Sequence, residues 1–449
     1  MDQPAQRAEI ENIPLTVMDF PRPVVVYKNQ RLPVQDIHVP TVMRFANRQR
    51  NLPIDKNRKA VEWGGYWDRS DGYGSSNIAF AEDVIDSGWN IRPRWFQNRE
   101  GIESSGSDKI LRFRDLPVEA EIGVCFTMPP DMHIMSPHLK RMFLYTLWES
   151  TQLIPAWVPM ANQADCVVTG SEFCRLVLMS SGVQGPIPVI PIPIDEAFQP
   201  LGPRALTDVF QFLFISAPYS RKGIDVLISV WKKHYAERKD VRLVLHTKKP
   251  KVLRGSATVW YEDSLKDVPN VAFSSDEKSG SDILALYKNS HCLVHPARSE
   301  GFGRTPAEAL ATELPVIATG ATGMTDFLNH DTGYPIEVLG WVPCNHPFYA
   351  SGTWAEPDPD SLHTQMEAVM SDYSAASARA KNGSRFIRAR FSRRVTQEAW
   401  KFLLENADRI PEKKMEFYRD FKVFMSRLQN VPLMEDTRDA TVDAFFGDL

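Results

Sequence analysis

Apolar, β-branched runs alternate with amphipathic helical stretches along most of the chain. The alternation is interrupted once, by the proline-rich segment PIPVIPIPIDEAFQPLGPRA at residues 186–205. Strands that read as near-continuous apolar runs are buried on both faces, which requires parallel sheets covered by helices on either side. In the first array the expected strands are Val61–Gly65, Trp89–Phe96, Ile122–Thr127, Met142–Trp148, Cys166–Thr169 and Ile187–Ile194. In the second they are Gln211–Ser216, Val241–Thr247, Val271–Ser274, Cys292–His295, Pro315–Ala318 and Tyr334–Glu337. Helical stretches such as Ile224–His234 and Ser281–Lys288 lie between them, and a last strong helix is expected over Arg393–Glu405. Proline at such density suits an extended connector. The boundary between two α/β domains is therefore placed near Asp195–Arg204. Residues 1–60 form an N-terminal extension, and 411–449 include an amphipathic stretch, Lys414–Leu428.

A length of 449 residues suits two or three domains, and 43% hydrophobic with 24% charged residues is ordinary for a globular enzyme. The net charge of −4 gives no global attraction to nucleic acid or anionic membrane. Cys125, Cys166, Cys174, Cys292 and Cys344 are odd in number, scattered and without a CxxC pair. A disulfide framework and a zinc site are not expected, and a reducing, cytoplasmic compartment fits. The polar start MDQPAQRAEIENIP has no apolar signal core. The most apolar window, Met142–Met160, contains Glu149, Gln152 and two prolines, so no transmembrane helix is expected.

The most informative segment is HPARSEGFGRTPAEALATELPVIAT, residues 295–319. A strand ends near His295, a glycine turn Glu300-Gly301-Phe302-Gly303 follows, and a helix begins. Gly301 and Gly303 let the backbone approach a ligand without a Cβ clash. The unpaired N–H groups and partial positive charge of the new helix suit a diphosphate. Glu308 is placed to accept from ribose hydroxyls and Glu300 from hydroxyls of a sugar. A plainer reading of Thr305-Pro306-Ala307-Glu308 is a capping box, with Thr305 as N-cap and Pro306 at the first helical position. His295 either faces the donor or is a buried, satisfied histidine.

The run Glu300-Gly-Phe-Gly…Glu308, followed by Ala309-Leu310 and Leu314-Pro315-Val316-Ile317-Ala318, resembles the E-x7-E signature of family 4 retaining glycosyltransferases (glycosyl transferases group 1). That family has the GT-B fold: two Rossmann-like, doubly wound parallel-sheet domains face each other across a cleft, and a C-terminal helix crosses back. The resemblance implies a first domain at 61–200 for the acceptor and a second at 205–390 for the nucleotide-sugar donor. Helices in 391–449 then pack back on the first domain. It implies that Lys222, in Lys222-Gly223, contacts the donor diphosphate. Many relatives carry an arginine five residues before that lysine. This chain has Ala217 there, and Arg221 is a substitute from a different position. Donor-binding roles accordingly fall to Arg221, Lys222, Gly301, Phe302, Gly303, Arg304, Thr305 and Glu308.

In the first domain, Gly72, Tyr73 and Gly74 read as a glycine loop after the first strand, facing the donor domain as an acceptor or phosphate loop. The stretch YTLWESTQLIPAWVPMANQADCVVTGSEFCRL also looks like the family. Glu149, expected at a strand end, is a candidate to position the acceptor hydroxyl or take its proton. Its alternative is an ion pair with a nearby arginine. Ser171 reads first as a helix N-cap.

The function this implies is transfer of a hexose from a nucleotide-diphosphate sugar to an acceptor hydroxyl with retention of configuration. No metal and no cofactor are expected, Glu149 and Glu300 are the catalytic candidates, and a UDP-sugar such as UDP-glucose is the favoured co-substrate. A GT-B epimerase and a sugar-binding protein without transfer activity are the alternatives. The acceptor stays open among a glycan, a lipid-linked sugar, a protein and modified DNA. The last rests on the basic run with Arg44, Arg48, Arg50, Lys56, Arg58 and Lys59, and on RPRWFQNR at 92–99. Asp358-Pro-Asp360 matches a metal motif in letters but reads as turn chemistry.

Overall fold

The computed structural model describes residues 55–430 except 56, 70–71, 96–105, 115–118, 203, 248–261, 277 and 279. For residues 95, 262–263 and 411–414, and for three strands of the extension, it describes the backbone alone. Those strands, β1 (Val17–Met18), β2 (Val24–Tyr27) and β3 (Gln30–Pro33), form an antiparallel sheet in the order β1-β2-β3. The basic residues at 44–56 and the end of RPRWFQNR lie outside the described residues.

The first α/β sheet contains β4 (Ala60–Gly65), β5 (Asn90–Trp95), β6 (Ile122–Phe126), β7 (Arg141–Tyr145) and β8 (Cys166–Val168). They are all parallel, in the order β5-β4-β6-β7-β8. The second contains β9 (Phe210–Ile215), β10 (Val241–His246), β11 (Val271–Ser274), β12 (Cys292–His295), β13 (Val316–Thr319) and β14 (Tyr334–Ile336). These too are parallel, in the order β11-β10-β9-β12-β13-β14. Each sheet is doubly wound: its order reverses between β4 and β6 in the first and between β9 and β12 in the second. Ligands of open α/β sheets bind beyond the strand ends at such a reversal.

Three expectations need correction. Ile187–Ile194 is not a strand; among the described residues its only β-pairing is in two isolated bridges, Thr169 to Val189 and Ile194 to Ser392. Pro186, Pro188, Pro191 and Pro193 have no N–H to offer a ladder. Glu149 is not at a strand end. The last β7 pair is Tyr145 with Val168; Thr146 N–H still donates to Val168 O at 3.0 Å, and beyond it the chain runs on irregularly through 147–149. Gly72, Tyr73 and Gly74 are not a loop but the first turn of the helix Gly72–Asp86. The Ser76 hydroxyl donates to Gly72 O at 2.7 Å within that turn. A Cβ on Gly74 would lie 2.1 Å from Asp68 O, so the preceding loop folds tightly over the helix start.

One element has no counterpart in the sequence reading. After β14 the chain forms an antiparallel hairpin of β15 (Val338–Pro343) and β16 (Thr353–Pro357), joined by a tip that includes the 3₁₀ turn Pro347–Tyr349. It leans on the first domain: Trp341, Phe348 and Tyr349 pack against the cluster around Trp148, Leu153 and Phe173.

A later helix also returns to the first domain. Trp400, on the helix Arg393–Glu405, sits 5.1 Å from Trp63 and 5.6 Å from Phe80 by ring centroids, inside the first domain's aromatic core. On the same helix Arg393 donates to Asp83 at 2.7 Å and Thr396 to Asp83 at 2.5 Å, and Asp83 is fully buried. Burial raises the Asp83 carboxyl to about 6, against the opposing pull of Arg393. Asp83→Ala strands the Arg393 guanidinium, so the variant should lose about 3 kcal/mol of stability, read as a lowered melting midpoint. An unchanged midpoint would show that this clamp does not hold the returning helix.

Candidate functional site

The site is built on the two loops that leave β9 and β12, the neighbours at the second sheet's reversal. After β9 the chain makes a 3₁₀ turn, Ser220–Lys222, and passes through Gly223 at φ 65° into the helix Ile224–His234. A Cβ on Gly223 would sit 1.7 Å from Pro296 O, so no other residue fits between the loops. Arg298 N–H donates to Arg221 O at 2.7 Å. The Arg298 guanidinium takes Asp225 at 2.8 Å through each of two nitrogens and Glu356 at 2.6 and 2.8 Å. This fork fixes the turn carrying Arg221 and Lys222 against both its own helix and β16.

Four charged side chains and a histidine meet there. Lys222 Nζ lies 2.6 Å from Glu300 Oε1, and His295 Nε2 lies 2.7 Å from the same oxygen. Arg221 Nη1 is 3.5 Å from Glu300 Oε2, and its Nη2 is 3.0 Å from Glu149 Oε2 in the first domain. Burial opposes the Glu300 charge, but Lys222, the His295 hydrogen bond and Arg221 outweigh it and hold the carboxyl well below its usual range. Burial pushes the Lys222 ammonium down, helped by Arg221 and resisted by Glu300. Burial also lowers the His295 imidazole, so Nε2 carries the proton to Glu300 while buried Nδ1 has no partner among the described residues. His295 is thus buried but only half satisfied.

The glycine turn is laced to the loop after β13. Glu300 N–H donates to Thr322 Oγ1 at 3.1 Å, and Gly323 N–H to Glu300 O at 2.9 Å. Thr322 holds φ 60°, a costly conformation for a β-branched residue, kept by these bonds. Gly303, at φ 92°, is the N-cap of the helix Arg304–Ala311 and makes no side-chain cap. The capping-box reading is therefore overturned: the left-handed glycine turns the chain into the helix before Thr305 is reached.

Glu308 then has other work. It is nearly buried, accepting from Tyr287 at 3.2 Å and Arg304 Nε at 2.9 Å, and burial raises its carboxyl against those partners. Arg304 also reaches Ser75 Oγ and Gly72 O on the first domain. The Phe302 ring packs against Phe327 and Phe391 in the core, so at that position the turn offers only backbone.

Further bonds close the gap between the domains. Ser171 is the N-cap of Glu172–Ser180, accepting from Cys174 N–H, and its hydroxyl donates to Gly301 O at 2.6 Å. A Cβ on Gly301 would lie 3.1 Å from Leu147 Cβ. Gly72, Glu149, Ser171, Gly301 and Arg304 all follow strand ends, so the carboxyl edges of the two sheets face each other.

Residues 202–386 match the family model described as glycosyl transferases group 1. The second α/β domain is a group 1 glycosyltransferase domain. Two curated relatives agree. The gpi3 subunit of phosphatidylinositol N-acetylglucosaminyltransferase from Schizosaccharomyces pombe is 28% identical over 47% of this chain and 41% of its own length. The capsular polysaccharide biosynthesis glycosyltransferase CapM from Staphylococcus aureus is 26% identical over 43% of this chain and 46% of its own. The chain thus spans less than half the length of these relatives. Solved structures show the GT-B fold. Sucrose-phosphate synthase from Thermosynechococcus elongatus superposes with a TM-score of 0.60, at 14% identity over 78% of this chain and 99% of that one. Anabaena Alr3699/HepE in complex with UDP-glucose gives 0.59, at 15% identity over 77% and 99%.

Sequence motifs single out Glu149, Arg221, Lys222, Glu300 and Glu308 of this group 1 domain and its partner domain. They do not reveal Arg298, Tyr287, Thr322 or Tyr349. Arg298, two residues before Glu300, is the one with a signal, its nearness to the motif.

Gly223→Ala should lose stability, because the new Cβ must displace Pro296 and with it the turn holding Lys222. An unchanged melting midpoint would break that link. For pH, Glu300 and His295 both hold fewer protons folded than unfolded. Their stabilisation is full at neutral pH and is lost on acidification, from about 6.5 for the histidine and about 4.3 for the carboxyl downward. The difference in melting midpoint between wild type and Glu300→Gln should therefore shrink as pH falls below about 4.3. A constant difference down to acid would remove the ion-pair account.

Proposed function

We propose that the chain transfers a hexose from a nucleotide-diphosphate sugar to an acceptor hydroxyl with retention of configuration. The observation that carries this reading is the pair Arg221 and Lys222 set between Glu300 and Glu149, at the sheet reversal and beside a glycine-capped helix N-terminus. A diphosphate entering here would find two cations and the unpaired N–H groups of the first helical turn. It would draw Lys222 and Arg221 from the carboxylates that hold them. Glu300 would then accept from hydroxyls of the donor sugar, and Glu308, steadied by Tyr287 and Arg304, from the ribose.

In the retaining route the acceptor oxygen bonds to the anomeric carbon on the face from which the nucleotide diphosphate leaves. The bond from that carbon to the phosphate oxygen breaks, and the acceptor proton passes to that oxygen. Arg221 and Lys222 stabilise the charge that departs. Glu149 orients the incoming hydroxyl. This charge handling rests on the chain's own cations, and the reading calls for no metal. A UDP-sugar is the favoured donor, and HepE, which shares the fold, was crystallised with UDP-glucose. The acceptor class is open between glycan, lipid-linked sugar, protein and modified DNA. Among the described residues no helix is long and apolar enough to cross a membrane.

A thermal-shift screen of UDP, GDP and ADP tests the donor site, since ligand at 100 times its dissociation constant adds about 2.7 kcal/mol to the folded state. One nucleotide should stand out. Glu308→Ala should abolish its shift, whereas Glu149→Ala should keep the shift and cut turnover of the sugar nucleotide to a slow residual rate. No shift with any nucleotide would sink the proposal.

A further inference from the structure

The hairpin of β15 and β16 belongs to the second domain yet grips residues 148–152 of the first. Trp354 Nε1 donates to Glu149 O at 2.7 Å. Thr353 N–H donates to Thr151 Oγ1 at 2.8 Å, and Thr151 N–H to Thr353 O at 3.2 Å. A Cβ on Gly352 would lie 2.9 Å from Gln152 N, so the two backbones are in close contact. At the tip, the 3₁₀ turn Pro347–Tyr349 is capped by His346, whose Nδ1 accepts from Phe348 N–H. That turn sets Phe348 and Tyr349 with ring centroids 5.4 and 5.0 Å from Trp148.

What the tip delivers is a hydroxyl. Tyr349 OH donates to Glu149 Oε2 at 2.6 Å, and Arg221 Nη2 reaches the same oxygen at 3.0 Å. No protein donor among the described residues falls on Oε1, and the Glu149 side chain keeps 26% of its surface exposed. Two donors on one oxygen fix the plane of a carboxylate and leave the other oxygen to accept. Burial first, and the Glu149 charge second, hold the phenol well above its usual range, so Tyr349 stays a donor at neutral pH.

We propose that Tyr349 is a positioning residue: it acts through Glu149, aiming Oε1 at the hydroxyl that receives the sugar. The inference rests on the sugar-transfer reading of this site. Tyr349 itself touches no substrate. Its hydrogen bond, with that of Arg221, converts a flexible glutamate on irregular chain into an oriented acceptor, and it does so only while the hairpin is docked.

The full-length protein tests this through hydrolysis of sugar nucleotides, with water as the acceptor. UDP-glucose, UDP-N-acetylglucosamine, GDP-mannose and ADP-glucose are assayed with the wild type, and the fastest is carried forward. Tyr349→Phe keeps the ring against Trp148 and removes the hydroxyl alone. Its kcat should fall about tenfold, the worth of one hydrogen bond to a charged group. KM for the sugar nucleotide and the nucleotide-induced thermal shift should stay as in wild type. In the Glu149→Ala background, Tyr349→Phe should have no further effect, because the group it positions is gone. An unchanged kcat, a rise in KM alone, or the same loss in both backgrounds would overturn the positioning role. If the wild type hydrolyses none of the four, the sugar-transfer reading fails, and this inference fails with it. That outcome is told apart because it appears before any variant is made.

Discussion

Arg221 and Lys222 lie largely buried beside two carboxylates, and the remainder of the site is arranged around that fact. Each of these ions loses most of its hydration, a penalty of several kcal/mol apiece that only good mutual geometry offsets. Two cations and two carboxylates make a neutral set, but the set is complete only when Glu149 comes across from the first domain. Neutrality in the gap and the approach of the two domains are therefore one condition. The fork of Arg298, the left-handed Gly223 and the strained Thr322 all hold members of the set at hydrogen-bonding distance.

On the proposed reading, the same set would be the point of entry for a diphosphate. A ligand bearing negative charge competes with Glu300 and Glu149 for cations that are already paired, so binding exchanges one set of ion pairs for another. The carboxylates released in that exchange would become hydrogen-bond acceptors for hydroxyls. The first helical turn after Gly303 adds N–H groups that no side chain caps.

Much of this was legible along the chain. Alternating apolar runs located eleven strands of the two parallel sheets, because a strand covered on both faces must be apolar along its length. The Ile224–His234 and Arg393–Glu405 helices match their expected ranges, since each carries an apolar stripe at helical period. Where reading failed, a physical cause is visible. Ile187–Ile194 has strand composition, but Pro188, Pro191 and Pro193 have no N–H for a ladder. The Gly72–Gly74 pair reads as a loop, yet the backbone of Asp68 packs over it and it coils into a helix. Glu308 looks like the end of a capping box, yet the helix starts at a glycine. The hairpin of β15 and β16 was invisible because its stability comes from aromatic contacts with residues some two hundred positions earlier.

Local chemistry by itself determined that a glycine turn with Glu300 and a basic pair would follow strand ends and lead into helices, since φ freedom, helix starts and apolar period are properties of neighbouring residues. Which charges share an oxygen was decided only by the tertiary structure. Ion pairing falls off with distance through a medium that burial alone makes weakly polar. The meeting of Arg221 with Glu149, and of Tyr349 with both, depends on two sheets and a hairpin closing over one gap.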